Sequence, residues 1–175
     1  MKLRLSTEPA DTAKHKCLVL ALFADEKPPR GICGFIDWRL NGYISREIKR
    51  GGISGKLAER VIIPTPPRLN TELLMICGMG NAAKFSAEQM RRFAHLTIES
   101  VDKLLIDDFS LELPGTNRVN LALADVAQAT AAGFFDYLSQ DAKKMNKIKS
   151  CLLTVPEQVK EAASGLKSFK SKIRD

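Results

Sequence analysis

The sequence predicts an α/β fold, a three-layer α/β/α sandwich on a mixed, mostly parallel six-stranded sheet. Short β-rich runs alternate with longer amphipathic stretches along the whole chain, without internal repeats or low-complexity segments. Two of the runs, 17–23 and 72–77, are almost continuously apolar, as strands covered on both faces are. Most connections between runs are long enough to be crossovers, which parallel neighbours require.

In chain order, residues 3–7 read as the first strand and 17–23 as a central one. Residues 24–34, with Lys27, Pro28, Pro29 and Gly31, are expected to form a loop. Ile36, Leu40, Ile44 and Ile48 then recur every four positions, while Asp37, Arg39, Arg46 and Lys49 take the other faces. That spacing predicts one amphipathic helix over 36–49, stopped by Gly51 and Gly52. Trp38, the single tryptophan, is expected to anchor this helix to the neighbouring loop, with stacking on a ligand as the alternative.

Residues 60–63 form a short strand closed by Pro64, Pro66 and Pro67, and 72–77 another that runs into Gly78-Met79-Gly80. Ser86, with Gln89 three residues on, is a capping-box pattern, and Ala87, Met90, Ala94, Ile98 and Val101 line one face of the helix it opens. In 108–113, Phe109, Leu111 and Leu113 alternate with polar residues, the pattern of a strand with one wetter face, closed by Pro114-Gly115. The Ala-rich stretch 119–138 is helical, with a break expected near Gly133. Residues 150–154 are the last strand, and Pro156 opens a final helix with its stripe at Val159, Ala163, Leu166, Phe169 and Ile173. The count is six strands and four helices.

With 175 residues, 45% of them hydrophobic and 27% charged, the composition is that of an ordinary folded chain, read as one domain over 1–175. No run of about 18 apolar residues occurs, and acidic residues and Pro stand where a signal peptide needs an apolar run. A soluble cytoplasmic protein with no membrane partner is expected. Cys17, Cys77 and Cys151 sit in apolar runs and are expected to be small buried hydrophobes, and Cys33 has no evident base, so it is not assigned as a nucleophile. His15 and His95 are far apart and lack ligand spacing, so neither metal nor cofactor is expected.

The net charge of +7 is concentrated near the C-terminus. Residues 1–142 carry 18 Lys and Arg against 17 Asp and Glu; residues 143–175 carry 9 against 3. Lys143, Lys144, Lys147, Lys149, Lys160, Lys167 and Lys170 are the candidate basic patch for nucleic acid or an acidic partner. The competing reading is a solvated helix face, which the scarcity of interleaved aromatics favours.

Gly78-Met79-Gly80-Asn81-Ala82-Ala83 matches the glycine spacing of a dinucleotide loop after an apolar strand. The helix signal at Ser86 comes well past the glycines, so a tight strand-to-loop turn is the plainer reading. Residues 51–56 resemble a phosphate loop, but Leu57 stands where Ser or Thr is needed. Asp107 and Asp108 are adjacent on a strand and point to opposite faces, so they cannot work as an acid–base pair. No catalytic residue is assigned. The candidate ligand-binding residues are Gly78, Gly80 and Asn81, with Gly31 and Gly34 on the loop opposite, in the crevice where open α/β sheets place nucleotides.

Three segments in order carry a family resemblance: residues 42–59 (GYISREIKRGGISGKLAE), 73–80 (LLMICGMG) and 132–138 (AGFFDYL) followed by lysines. They resemble the N-terminal domain of M17 leucyl aminopeptidases, in which a helix runs into a "kRGdFkGK.GE" turn, a strand ends in "vGLG" and a late helix carries "G..l..Y.Fd.yK". The resemblance implies a macro-like α/β/α fold. It also implies that metal ions and catalytic residues belong to a separate C-terminal domain, whose N-T-D-A-E-G-R motif does not occur here. The expectation is a stand-alone, non-catalytic binding or assembly domain, with itself or a full-length aminopeptidase as partner. Nucleotide or ADP-ribose binding, and nucleic-acid binding through the basic segment, are the alternatives.

Overall fold

The structure, a computed structural model, describes residues 1–63, 67–115 and 117–173. The turn expected at Pro64 and Pro66 lies outside the described residues. Six strands are described: β1 (Lys2–Ser6), β2 (His15–Leu22), β3 (Arg60–Ile63), β4 (Thr71–Gly78), β5 (Asp108–Glu112) and β6 (Lys149–Leu153). They form one sheet in the order β1-β6-β5-β2-β4-β3. Every pairing is parallel except β3 on β4.

The helices are α1 (Gly31–Arg39), α2 (Tyr43–Arg50), α3 (Ala87–Lys103), α4 (Leu123–Leu138), α5 (Ala142–Lys147) and α6 (Val159–Lys172). The pleat of β2 sorts them into layers. Cys17, Val19, Ala21 and Phe23 face a core shared with α3, α4 and α6, whereas Leu18, Leu20 and Leu22 face one shared with α1 and α2. Both faces of β2 are therefore dry, as its apolar run requires. Each fully buried Val, Leu or Phe among them contributes about 1.5–3 kcal/mol.

The α3–α4–α6 layer is packed at backbone distance. A methyl group on Gly133 would come 2.1 Å from the Arg91 carbonyl oxygen of α3, and one on Gly165 would come 2.0 Å from that of Ala124. Gly133 thus sits inside an unbroken α4, where the sequence suggested a break; the glycine serves helix-on-helix approach.

Three further expectations are corrected. The helix over 36–49 is two helices, because Asn41 (φ 54°) and Gly42 (φ 73°) turn the chain between α1 and α2. The i,i+4 spacing survives since both helices bury on the same core, through Ile36, Leu40 and Ile44. The expected loop 24–34 ends early, as α1 starts at Gly31 and takes in Gly34. Finally, β5 has no wet face: Ser110 and Glu112 are buried and paired. The basic segment also contains the short helix α5, capped by Asp141 accepting from Lys143 N and Lys144 N.

Candidate functional site

The carboxyl ends of the strands divide into two regions. At the ends of β2 and β4, the turn with Gly78, Gly80 and Asn81 packs against the segment 55–57. Gly80 N donates to Gly55 O (2.9 Å), and a methyl group on Gly78 would lie 1.9 Å from Lys56 O, so only glycine fits at position 78. Asn81 spends its side-chain oxygen on Ala83 N (2.8 Å). The loop that resembled a phosphate cradle holds an anion of the chain's own: Glu59 accepts from Ser54 N, Ser54 Oγ and Gly55 N.

Beyond β1, β6 and β5 lies a cavity of about 380 Å³, lined by Pro9, Gly31, Phe35, Glu112, Arg118, Val155 and other residues. Its base is a buried charged cluster. Arg118 donates to Glu112 Oε1 (2.5 Å), to both oxygens of Glu26 (2.9 and 2.7 Å) and to Ala21 O (2.9 Å). Glu112 accepts as well from Ala21 N, Ile32 N and Cys33 N. The last two are among the first N–H groups of α1, so Glu112 occupies the anion position that a helix N-terminus offers. Gly31, at φ 62°, lets the backbone come this close; a methyl group there would lie 2.6 Å from Glu112 Oε1.

Burial pushes the Glu112 carboxyl upward, against Arg118 and the three N–H groups that hold it down. All four groups facing it are donors, so it accepts as a carboxylate. Burial pulls the Arg118 guanidinium down, but Glu112 and Glu26 outweigh it and leave Arg118 raised. One polar atom is left over: the Thr154 hydroxyl, which lines the cavity, is buried without a hydrogen-bond partner among the described residues.

The five glycine and asparagine residues predicted to line one crevice are thus in two places: Gly31 and Gly34 on α1, and Gly78, Gly80 and Asn81 at the end of β4. The loop 24–26 joins them. Ala24 N donates to Gly80 O, Asp25 accepts from Ala82 N and Glu26 accepts from Arg118. Glu26, Glu112 and Arg118 carry no sequence signature. Only the polar alternation of β5 pointed to Glu112, and that pattern reads equally as a solvated face.

The predicted basic patch is spread over α5, β6 and α6. Lys144 is held by Asp102 (2.6 Å) and lies over the Tyr137 ring, whereas Lys143, Lys147, Lys149, Lys160, Lys167 and Lys170 are exposed. Trp38, expected to be an anchor, is 69% exposed and stacks on Phe35, with ring centroids 6.2 Å apart.

All four cysteines are buried and free, with Cys17, Cys77 and Cys151 buried as expected. Burial pushes Cys17 up to about 12 and Cys77 to about 11, which leaves neither as a thiolate nucleophile near neutrality. Among the described residues, no group of three or more His, Cys, Asp or Glu is placed to hold a metal ion. No described helix is long and apolar enough to cross a membrane.

This sheet order, two helical layers and a cavity at the strand ends define a macrodomain-like α/β/α domain. Solved structures share the fold: the Oceanobacillus iheyensis macrodomain with ADP has a TM-score of 0.73 at 11% identity, over 98% of this chain and 92% of that one. A mutant of tomato leucine aminopeptidase has a TM-score of 0.62 at 14% identity, over 99% of this chain and 37% of that one. Residues 19–147 match the cytosol aminopeptidase family, N-terminal domain, and the chain belongs to that family. A probable cytosol aminopeptidase of Sulfurihydrogenibium is 27% identical over 165 residues, 90% of this chain. The chain spans 32% of that relative's length.

Proposed function

We propose that this chain works in the cytoplasm as a binding and assembly domain of the cytosol aminopeptidase type, without chemistry of its own. Its partner is a second copy or a full-length aminopeptidase. The observation that supports this is the use made of the polar groups at the strand ends. Glu112 faces four donors, and Arg118 is spent on two carboxylates and a carbonyl. The four acceptor positions of Glu112 are filled and four of the five Arg118 N–H groups are engaged, and together the two residues fasten α1 and the loop 24–26 to the sheet. General acid–base catalysis needs a group within hydrogen-bond reach of the reacting atom, and these two are already engaged. Incubation with leucyl anilides and Mn or Zn should give no turnover. Co-elution with a full-length aminopeptidase, or self-association, should appear by size exclusion with light scattering. Turnover that survives removal of contaminating peptidases would overturn the reading.

A second reading is a nucleotide or ADP-ribose in the 380 Å³ cavity. The unpartnered Thr154 hydroxyl favours it, as does the likeness to a macrodomain solved with ADP. Against it, the chain's own carboxylate already fills the N-terminus of α1. Calorimetric titration with ADP-ribose, NAD and ATP decides, and no heat at millimolar ligand removes this reading.

A further inference from the structure

The described residues contain three exposed aromatic side chains, Phe35 (40%), Trp38 (69%) and Tyr43 (37%), and all three fall within nine residues of α1 and α2. Isolated exposed aromatics need no explanation; the gathering of all of them on two adjacent helices does. Both helices bury their other sides in one core through Cys33, Ile36, Leu40 and Ile44, so their exposed sides share one molecular face.

That face is also cationic. Residues 27–50 carry six Lys and Arg against two acidic residues. Of the six cations, Arg39 is paired with Asp11 (3.0 Å) and Arg50 with Glu47 (3.1 Å), which leaves four. Asp37 is buried, accepting from Ser45 N and Ser45 Oγ, and Glu47 is paired with Arg50. Arg30, Arg46 and Lys49 are exposed and have no carboxylate partner among the described residues. Arg39 lies 5.9 Å over the Trp38 ring. Acidic residues elsewhere in 1–142 offset this local excess in the near-neutral balance of that part of the chain.

Aromatic rings interleaved with unpaired cations are what single-stranded nucleic acid binds: bases stack on rings of any sequence context, and the phosphates follow the cations. An acidic protein would use the cations and leave the three rings unexplained. The C-terminal lysines lack that second component, because the aromatics near them, Tyr137, Phe135 and Phe169, are not exposed. We infer that the α1–α2 face binds single-stranded nucleic acid, with bases against Phe35, Trp38 and Tyr43 and phosphates against Arg30, Arg46 and Lys49. This does not rest on the assembly reading, since none of Phe35, Trp38, Tyr43, Arg30, Arg46 and Lys49 belongs to the charged cluster that supports it; Phe35 alone also lines the cavity above that cluster.

Trp38 is the only tryptophan, so its emission reports from the site itself. Oligo(dT) titrated at low salt should quench that emission and raise the anisotropy of a labelled strand. Trp38→Ala should weaken binding roughly 5- to 100-fold, the effect of losing one stacked base. Arg46→Gln and Lys49→Gln should each lower the slope of log K against log salt by about 0.7, one phosphate contact on a single strand. Circular dichroism checks that these surface variants stay folded. Three results would overturn the inference: no quenching at low salt; heparin binding as tightly as oligo(dT) with Trp38→Ala indifferent, which would mark a site for acidic partners; or binding lost on replacing Lys160, Lys167 and Lys170 by Gln while Trp38→Ala binds normally.

Discussion

Where α3, α4 and α6 meet the sheet, the contact is apolar and two glycines set the spacing between the helices; where α1 and α2 meet it, a second apolar core is supplemented by a buried carboxylate at the start of α1. Glu112 binds the start of α1, and Asp37 ties the end of α1 to Ser45 of α2. The difference is one of tolerance. Helices packed on one another at backbone distance leave little surface to vary, whereas a helix pair held by one apolar side and a few buried charges is free to vary its outer side. The exposed aromatics and cations lie on that second layer.

Breaking each layer at its own kind of contact tests the contrast. Arg118→Ala should have the largest effect, about 3–5 kcal/mol by urea unfolding, because it strands Glu112 and Glu26 as buried, unpaired carboxylates. A loss below about 1 kcal/mol would show that the charged cluster does not hold the α1–α2 side. Gly133→Val should cost about 1–3 kcal/mol, since the added side chain meets the backbone of α3. Calorimetry would show it as a lowered melting temperature, and an unchanged midpoint would mean that α4 can move off α3.

The third test is a pH dependence confined to the polar network. His15 is buried; its Nε2 faces the Ala10 carbonyl (3.1 Å) and must donate, so Nδ1 accepts from Ser110 Oγ (2.7 Å). Burial lowers the His15 pKa from 6.5, with Arg4 adding to the fall and the Ala10 contact opposing it. The unfolded chain therefore takes up the proton first on acidification. Stability from this group is complete above pH 6.5 and is lost as the pH falls through the depressed folded value. Urea midpoints measured from pH 7 downward should fall for the native protein and fall less for His15→Gln. Parallel curves would remove His15 from the network.

The strands and the layer count were legible because burial on both faces leaves a continuous apolar run, as in 17–23, and a helix leaves a four-residue period, as at Ala87, Met90, Ala94 and Ile98. The split between α1 and α2 was not legible, since Leu40 and Ile44 keep the period while Asn41 and Gly42 turn the backbone between them. A periodic pattern records which side is buried and says nothing of whether the helix is continuous. The candidate site was the least legible part. Glu26, Glu112 and Arg118 come from a loop after β2, the end of β5 and the segment following it, and a buried charge differs from an exposed one only by its partners.

From its residues alone, this protein is determined to be a layered α/β chain with a central apolar sheet, similar over most of its length to the aminopeptidase N-terminal domain. Those properties follow from local spacing and from the order of short motifs, which the linear chain carries in full. Tertiary structure decided the rest: which carboxylates fill the backbone anion positions, which glycines are squeezed between helices, and where Trp38 points. Pairing energies and clearances belong to atoms brought together by the fold, and residues as distant as Glu26 and Arg118 acquire them only there.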